Sequence, residues 1–564
     1  MSNQKNTYIF QTFLVVAIIL AVNLVGNFFN GFIDLTEDKR FTLSDSTLDF
    51  IENVDDIIYV KVLLEGEFPA GFKRLRNAAM NRLDQFASAN PLLEYTFEDP
   101  MDGPVEDIRA KQQLYKEMGM APTNLTINDG DERTQKIIYP YALVNYGSRQ
   151  TIVNLLEPQG ARGQEEVLNT SINLLEFKLA NAIQKLTREE LPNIVISTGH
   201  GETPEFLTAR LEQVLKPYYD TGRLNLDSLF QLRPKDVDLL LVPAPKTQVP
   251  VKTQFLIDQY LMSGGKILWL IENFEVNLDS IDRNKLYVPK PIDHNLNDLL
   301  FKYGARVKNN LILDLECAPI PQVIGAQGEK PQTILVPWYY HPLAASKTNH
   351  PIVKGIDRVK FSFPSTVEIL ERPNIEGEVL LSSSEYSRFQ VYPMRLTFEI
   401  LRIDPDPKQF NKGPQPIAVL LDGEFESFFK NRITQANEAV LQQIGSSFKE
   451  TSPRTQQIIV SDVDFLKNKY DPNSERISPI GFSDWEKKVY EGNQAFIVNS
   501  VEFLLDDFGL LEARGKDFKL RLLDKVKTSE EQVKWQVINL VLPIFVVWAF
   551  ALLFFLWRKR KYAH

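Results

Sequence analysis

The chain of 564 residues is poor in the two residue types that carry most metal and thiol chemistry: it has one cysteine and five histidines. A lone cysteine forms no disulfide within the chain, and no C-x-x-C pair is present, which excludes thiol–disulfide exchange. The five histidines show no metal-ligand spacing, so we expect neither a metal site nor a cofactor. They are His200, His294, His341, His350 and His564.

Sequence motifs of nucleophilic and nucleotide chemistry are also missing. No G-x-S-x-G elbow occurs, and Cys317 lies in DLECAPIP without flanking glycines, which favours a packed thiol over a reactive one. The stretch SGGKI (263–267) superficially resembles a phosphate loop, but Tyr260 stands where its first glycine should be, and Ile267 replaces its Ser or Thr. We therefore expect no ATP hydrolysis by this chain.

The chain has no excess of basic residues, since its formal net charge is −10. Nucleic-acid binding depends on neutralising phosphates with Lys and Arg. An acidic balance of this size therefore excludes nucleic acid as the expected partner.

Long apolar runs occur near the two ends of the sequence. Val537 to Trp557 contains 21 residues without a charge. A helix of that length spans about 30 Å, the thickness of the hydrocarbon core of a bilayer. We predict a transmembrane helix at 535–557, with Pro543 near its start, where a missing N–H costs least.

The run from Tyr8 to Phe29 is also uncharged and is most apolar from Phe13 to Val22. No small-residue cleavage site follows it, which favours an uncleaved anchor over a signal peptide. We predict a first transmembrane helix at 8–32. In the two predicted spans, Phe13, Val22, Pro543 and Trp548 are the residues expected to assemble with a membrane partner and lipid.

The orientation of the chain follows from a basic tail at 558–564, directly after the second span. Its cations are Arg558, Lys559, Arg560 and Lys561. Such clusters stay on the cytoplasmic side of a membrane. We expect both termini in the cytoplasm and the roughly 500 residues between the spans on the other side.

The sequence pattern predicts an α/β fold for the whole of this body. Region 34–190 alternates strand and helix patterns and includes a hairpin about Tyr146–Gly147, compatible with a thioredoxin-like domain. Region 191–515 contains buried apolar strands alternating with helices, which predicts a doubly wound, mostly parallel sheet. Its proline-punctuated segment at about 319–410 predicts an inserted β-rich part or an extension of the sheet. The charged segment at 516–534 predicts a juxtamembrane helix or linker.

Sheets of this kind bind ligands beyond the carboxyl ends of their strands. The residues expected there form a candidate cleft: Thr198, Gly199, His200, Gly201, Glu202, Asp462 and Asp464. Asp422, 243–246 and 272–274 are expected at the same edge.

One interpretation makes His200 a catalytic base, with Glu202 or Asp462 as its partner. The other makes the stretch a turn, in which Gly199 and Gly201 supply the geometry and Thr203 caps the next helix ahead of Pro204. In that turn, Glu202 faces the positive end of the helix. We favour the turn and expect no catalytic residue. The stretch WYYHP (338–342) could form a stacking surface or a core strand.

The order of motifs along the chain resembles a known family. RFTLSDST follows the first span, then come TGHGE, D-x-D-x-L-L-x-x-x-P, GGKIL, VSDVDF and N-x-x-F-x-x-N before the second span. This order is similar to that of the auxiliary, substrate-binding-like subunit of gliding-motility-associated ABC transporters (the GldG type). The resemblance implies that the second domain is similar to glutamine amidotransferase-like folds, here without the nucleophilic cysteine.

The resemblance further implies a non-catalytic accessory subunit in a bacterial inner membrane, with a periplasmic body. Its expected partners are an ABC permease and a separate cytoplasmic ATPase, with periplasmic or cell-envelope components as further contacts. Two alternatives remain: a membrane-anchored periplasmic hydrolase acting at the His200 cleft, and a glycan- or peptide-binding module in the same place.

Overall fold

The computed structural model describes residues 13–18, 42–129, 132–157, 163–276, 278–279, 281, 286–327, 330–402, 404–433, 447–471, 476–506, 508–511 and 531–562. The chain divides into two compact units, Met1–Lys516 and Asp517–His564. The first unit is a mixed α/β body, as the sequence predicts, and the second contains one long helix.

The N-terminal region, 42–190, is built on a four-stranded sheet. Its helices are α1 (Asp45–Glu52), α2 (Ala70–Ala89), α3 (Val105–Glu117) and α4 (Gln164–Thr187). Its strands are β1 (Ile58–Val62), β2 (Leu93–Phe97), β3 (Thr123–Asp129), β4 (Glu132–Ile138), β5 (Tyr141–Tyr146) and β6 (Arg149–Asn154). The sheet order is β2-β1-β5-β6, in which β1 and β2 are parallel and β5–β6 form an antiparallel hairpin. The name thioredoxin-like stays a prediction.

A buried carboxylate organises the helices on this sheet. Glu176 on α4 accepts hydrogen bonds from the backbone N–H and the hydroxyl of Ser44, at 2.6 and 2.8 Å. Arg82 on α2 lies 3.3 Å from the other carboxylate oxygen of Glu176. Ser44 also caps α1. Ser44 of the RFTLSDST motif therefore joins α1 to α4, and Glu176 joins α4 to α2.

The central region, 191–511, is built on a seven-stranded sheet of order β19-β21-β22-β10-β9-β7-β8. Its helices are α5 (Glu205–Leu215), α6 (Val251–Met262), α7 (Asn297–Tyr303) and α8 (Glu491–Leu504). The strands of this sheet are β7 (Asn193–Thr198), β8 (Asp220–Asn225), β9 (Leu239–Pro243), β10 (Lys266–Leu270), β19 (Ile375–Ser382), β21 (Pro416–Glu426) and β22 (Thr451–Val460). Five of them, from β22 to β8, are parallel to one another.

Alternate residues of the parallel strands enter two different hydrophobic cores. On β9, Leu239 and Leu241 belong to one core, and Leu240 and Val242 belong to the other. Successive side chains of a strand point to opposite faces, so both faces of this sheet are covered. Helices α5 and α8 pack on one face, and α6 and α7 pack on the other.

Smaller strands surround the central sheet. They are β11 (Phe274–Glu275), β12 (Lys290–Pro291), β13 (Ala305–Val307), β14 (Asn310–Asp314), β15 (Cys317–Gln327), β16 (Lys330–Ala344), β17 (Val359–Lys360), β18 (Val367–Ile369), β20 (Ser387–Val391), β23 (Tyr470–Asp471), β24 (Arg476–Ile477), β25 (Phe482–Ser483) and β26 (Lys488–Val489). The segment at about 319–410 is rich in strands, and one of them, β19, lies at the edge of the central sheet beside β21.

The second unit contains α9 (Gln532–Tyr562), with Pro543 inside it. By length and composition, the 28 residues Lys534–Lys561 could cross a membrane. Trp548 on this helix is exposed. The N-terminal span predicted at 8–32 falls outside the described residues except for 13–18, which are helical. Val22 and most of the predicted 516–534 linker also lie outside them.

The N-terminal and central regions are joined by a buried ion pair between α4 and α8. The ammonium of Lys185 lies 2.5 Å from a carboxylate oxygen of Glu502, and Asn181 donates to the other oxygen at 3.2 Å. Arg188 donates to the carbonyl of Leu505 at 2.9 Å. Burial alone lowers the pKa of Lys185, but the charge and hydrogen bond of Glu502 outweigh this and raise it.

We expect Glu502→Gln to destabilise the full-length protein by about 3 kcal/mol, because it leaves the Lys185 ammonium buried without its counter-charge. Thermal or denaturant unfolding measures the loss. Glu106→Gln on exposed α3 is the matched control, and Lys185→Met with Glu502→Leu should recover much of the stability. A Glu502→Gln variant as stable as the control would contradict a structural role for this pair.

Candidate functional site

The stretch TGHGE connects the end of β7 to α5 through two glycines with left-handed backbone. Gly199 has φ +114° and Gly201 has φ +72°. A Cβ on Gly199 would lie 2.6 Å from the side-chain oxygen of Asn225 at the end of β8. Both the backbone angles and the close approach require glycine, so the turn geometry determines these two residues.

The His200 ring is buried between two carboxylates. One ring nitrogen lies 3.3 Å from Glu202 Oε1 and the other lies 3.1 Å from Asp227 Oδ1. Only 4% of His200 is exposed. Its carbonyl accepts hydrogen bonds from the backbone of Lys246 and Thr247, at 2.8 and 3.0 Å. The residue therefore ties together the loops that follow β7, β8 and β9.

Asp227 is a member of this cluster that the sequence did not reveal. It lies in the 3-10 turn Leu226–Ser228, directly after β8. Thr253 on α6 donates a short hydrogen bond to its carboxylate, and Lys252 donates to its carbonyl at 3.0 Å. The sequence pattern does not predict β8, because DTGRLN lacks the apolar alternation of a strand. No local signal marked the aspartate that follows it.

One detail of the predicted turn, the cap supplied by Thr203, is wrong. The N-cap of α5 is Pro204 and the helix starts at Glu205, whereas the buried hydroxyl of Thr203 has no hydrogen-bond partner. The turn places Thr203 too early to reach the free N–H groups of the helix; its own N–H donates to the carbonyl of Pro243 at 2.9 Å. Glu202 likewise bonds backward, accepting from the backbone N–H of His200 at 2.6 Å.

A second polar cluster lies after β10 and β22. Carboxylate oxygens of Glu272, Asp462 and Asp464 lie within 4.8 Å of one another. Three carboxylates could hold a hard divalent cation. Here the ammonium of Lys467 supplies the positive charge, in a short ion pair with Asp464 and at 4.0 Å from Glu272. Asp462 also accepts from the backbone of Ser362 and Asp464, each at 2.7 Å.

Burial raises the pKa of two carboxyl groups in this cluster. Burial, and then the charges of Asp464 and Glu272, raise the pKa of Asp462 well above its usual range. Burial also raises the pKa of Glu272. A raised pKa means that the folded state holds these carboxyls better in their protonated form.

Among the side-chain contacts of the described residues, none joins the His200 cluster to the Asp462 cluster. The His200 ring contacts Glu202 and Asp227, and Asp462 contacts Ser362 and Asp464. Strands β9 and β10 separate β7 from β22 in the sheet. Thr198 is the last residue of β7 and lies beside the His200 cluster. The residues predicted for one cleft therefore form two separate groups at the same edge of the sheet.

Asp422 was predicted at this edge, and that prediction is wrong. It pairs with Gln456 near the middle of β22, because β21 runs antiparallel to β22. Its carboxylate lies 2.6 Å from Arg454. Reversal of the strand places the residue away from the carboxyl ends of its neighbours.

The remaining chemical candidates are packed into the body. Trp338 and Tyr340 are nearly fully buried, and His341 is 3% exposed, so WYYHP is a core strand. Burial raises the pKa of the Cys317 thiol to about 12. In the SGGKI stretch, Gly265 closes α6 against the Tyr260 ring, whose hydroxyl donates to the Lys266 carbonyl at 3.2 Å. The stretch therefore forms the turn between α6 and β10, packed against the Tyr260 ring.

The asparagines of the last motif donate hydrogen bonds to backbone carbonyls. Asn493 donates to the carbonyls of Phe465 and Lys360, at 2.7 and 3.0 Å, and accepts from the N–H of Lys360. Asn499 donates to the carbonyl of Ile352 at 2.8 Å. These contacts fasten α8 to the loops that follow the sheet.

The fold and these clusters define a mixed α/β body, in a chain that also carries an apolar helix long enough to cross a membrane. The model of a family described as an ABC-type uncharacterized transport system matches residues 191–500, more than half of the chain. The protein therefore belongs to this family of transport-system auxiliary proteins. Residues 37–145 match a second family, described as a domain of unknown function.

Individual relatives add little to this assignment. An uncharacterized protein of Borreliella burgdorferi is 22% identical over 458 residues, covering 78% of this chain and 82% of that protein. The N-terminal domain of mmIFT52 is 14% identical with a TM-score of 0.31, covering 56% of this chain and 97% of that one. A protein of Parabacteroides merdae described as ThuA-like is 11% identical with a TM-score of 0.26, covering 60% and 94%. At such TM-scores neither structure defines the fold or function of this chain.

We expect the free energy of unfolding of Asp462→Asn to increase, relative to that of the unsubstituted protein, as the pH rises from 4 to 7. The raised pKa of Asp462 means that its contribution to stability is fully present below the unfolded pKa, near 4, and is lost as pH rises through the folded pKa. The variant should therefore gain on the unsubstituted protein between pH 4 and pH 7, by about 1.4 kcal/mol per unit of pKa shift. Denaturant titrations at several pH values measure this difference.

The control for Asp462→Asn is Asp107→Asn on the exposed face of α3. Its unfolding curves should shift in parallel with those of the unsubstituted protein across the same pH range. Parallel behaviour of Asp462→Asn itself would show that its carboxyl is not held protonated by burial.

Proposed function

We propose that this protein is an accessory subunit of a membrane ABC transporter complex. The observation that carries the proposal is the family match over 191–500, which includes the central sheet and most of α8. The apolar helix Lys534–Lys561 supports it, because such a helix can anchor the chain beside a membrane permease. We further propose that a separate cytoplasmic ATPase supplies the energy.

The proposal includes a location. Arg558, Lys559, Arg560 and Lys561 directly follow the apolar run, and their charge favours a cytoplasmic C-terminus. The body would then lie on the periplasmic side of a bacterial inner membrane, with a first span at 8–32 returning the N-terminus to the cytoplasm. The association with gliding motility follows from the order of motifs and belongs to the same proposal.

The first test is purification of the full-length protein from its native membrane in mild detergent. We expect an ABC permease and an ATPase to co-purify with it. In a control variant, an unrelated leucine–alanine helix of equal length replaces Val537–Trp557; it should remain in the membrane but lose these partners. Recovery of the unsubstituted protein without any transporter subunit would refute the proposal.

We propose that the His200 cluster is structural and not catalytic. Supporting this, both ring nitrogens are engaged by carboxylates of the same chain, and the ring is buried. Carboxylates accept hydrogen bonds, so they hold the ring in place and leave it no free nitrogen for a substrate. The contacts of the ring with Glu202 and Asp227 also give His200 a structural role in a turn whose backbone geometry depends on the two neighbouring glycines.

We expect His200→Ala and Asp227→Ala each to lower the free energy of unfolding by about 1–3 kcal/mol, because each strands a partly buried partner. The double variant should lose less than the sum, as contacting residues do in a double-mutant cycle. Complementation of a deletion strain, scaled to the amount of folded protein, should be retained. A stable His200→Ala variant that fails to complement would instead favour the hydrolase alternative.

A further inference from the structure

Strand β20 is an edge strand, because β14 is its one partner among the described strands. At the two ends of this pair, the N–H of Tyr392 donates to the carbonyl of Asn309 at 3.0 Å, and the carbonyl of Tyr386 accepts from the N–H of Leu315 at 3.1 Å. In an antiparallel pair, alternate residues of a strand bond to the same neighbour. The even-numbered residues from 386 to 392 therefore bond toward β14. The N–H and C=O groups of the residues between them point away from it.

Two of these outward residues, Phe389 and Val391, have an open backbone edge. The third, Ser387, accepts a hydrogen bond at its carbonyl from the N–H of Lys412 at 3.0 Å. No group among the described residues bonds to the N–H or to the carbonyl of Phe389 or Val391. Each of the two residues therefore offers one donor and one acceptor to a further strand.

The side chains at this open edge are apolar and exposed. Phe389 is 38% exposed and Val391 is 60% exposed. Edge strands of natural proteins usually carry charges, prolines or bulges that prevent pairing with another chain. Strand β8, at one edge of the central sheet, follows this rule, since DTGRLN contains a glycine and two charged side chains. The two outward residues of β20 carry no such protection.

The open edge is complementary to a second copy of itself. When two such edges run antiparallel about a two-fold axis at Gln390, Phe389 lies opposite Val391 of the other copy, and Val391 lies opposite Phe389. Each of these two pairs forms two hydrogen bonds, so the pairing uses every open donor and acceptor of both edges. Aromatic and β-branched side chains are also favourable neighbours across a pair of strands.

The adjacent registers use the same edge less completely. An axis at Phe389 would place Val391 opposite Ser387, whose carbonyl is already occupied by the N–H of Lys412. An axis at Val391 would place Phe389 opposite Pro393, which has no N–H to donate. The register centred between the two open residues is therefore favoured.

The charge of β20 favours the same register. Arg388 is the one charged residue of this strand, and its guanidinium lies 4.8 Å from the centroid of the Phe410 ring. An axis at Gln390 places Arg388 opposite Tyr392 of the other copy. A guanidinium beside an aromatic ring is a favourable contact, whereas like charges directly opposite each other are destabilising. The pairing therefore opposes no like charges within the strand.

We propose that two copies of this chain associate through β20, as an antiparallel pair of edges centred on Gln390. The occupant is a second copy because both halves of the contact need the same two residues, Phe389 and Val391, at the same spacing. The pairing joins two β14–β20 sheets into one four-stranded antiparallel sheet. This contact is additional to the transporter assignment, because it forms between copies of one chain and needs neither a permease nor an ATPase.

Disulfide cross-linking of the full-length protein in its native membrane tests the register. Opposite residues of a non-hydrogen-bonded antiparallel pair have Cα atoms about 4.5 Å apart, within the range that a disulfide bridges. Gln390→Cys should therefore form a covalent dimer under mild oxidation. Arg388→Cys is the matched control and should stay monomeric, because its equivalents lie four positions apart, about 14 Å along the strand. The unsubstituted chain, whose single thiol is Cys317, should also stay monomeric.

A double variant, Arg388→Cys with Tyr392→Cys, gives a second reading of the same register. It should cross-link, whereas neither of its single variants should. Circular dichroism checks that each variant is folded. Cross-linking by Gln390→Cys or by the double variant, with silent controls, supports the contact. Cross-linking by Arg388→Cys alone, or by none of these variants, would overturn it.

The contact should also set the oligomeric state of the purified protein in detergent. We expect the chain of 64.7 kDa to sediment as a dimer in analytical ultracentrifugation. Val391→Lys should raise the dissociation constant at least tenfold, because it places a charge beside Phe389 of the other copy. Val323→Lys on β15 is the matched control, since Val323 is equally exposed, and it should leave the dimer unchanged.

A monomer at every concentration, or a dimer that Val391→Lys does not weaken, would refute the contact through β20. Co-purification of a permease and an ATPase is a separate measurement. The contact between copies and the transporter assignment therefore fail independently.

Discussion

The burial of both faces of the central sheet is the constraint on which the rest of this structure depends. Strand β9 sends Leu239 and Leu241 into one core and Leu240 and Val242 into the other. A sheet without a solvated face must be covered by helices on each side, and crossover helices make its strands parallel. The carboxyl ends of five strands therefore meet at one edge, and the loops there carry the His200 and Asp462 clusters.

Most polar residues in those loops hold the fold together. His200 links the loops after β7, β8 and β9, and Asn493 fastens α8 to Phe465 and Lys360. Such loops have few backbone partners of their own, so side chains satisfy their buried polar groups. The motifs TGHGE, VSDVDF and N-x-x-F-x-x-N supply, at these positions, hydrogen bonds that shape the sheet edge.

The contact between the N-terminal and central regions has a different chemistry. It combines the buried Lys185–Glu502 pair with the close approach of Gly355 to Thr170 of α4. A buried ion pair contributes little net stability but penalises any arrangement that separates its partners. The ion pair therefore favours one arrangement of the two regions.

The amino-acid sequence by itself determined the features that depend on local pattern. Hydrophobic periodicity located the alternating strands and helices, and an uninterrupted apolar run identified the C-terminal helix. Gly199 and Gly201 indicated a turn, because glycine adopts left-handed backbone conformations at no steric cost. Family membership also follows from sequence. Thioredoxin-like and amidotransferase-like names, the first span and the orientation in the membrane stay predictions.

Tertiary structure alone decided which distant residues meet. Asp227 joined His200 because β8, a strand with no apolar pattern, pairs beside β7; Asp422 left the edge because β21 runs antiparallel. The Lys185–Glu502 pair forms only because α4 packs against α8, more than 300 residues later in the chain. Hydrogen bonds and charges act over a few ångströms in space, and separation along the sequence carries no information about that distance.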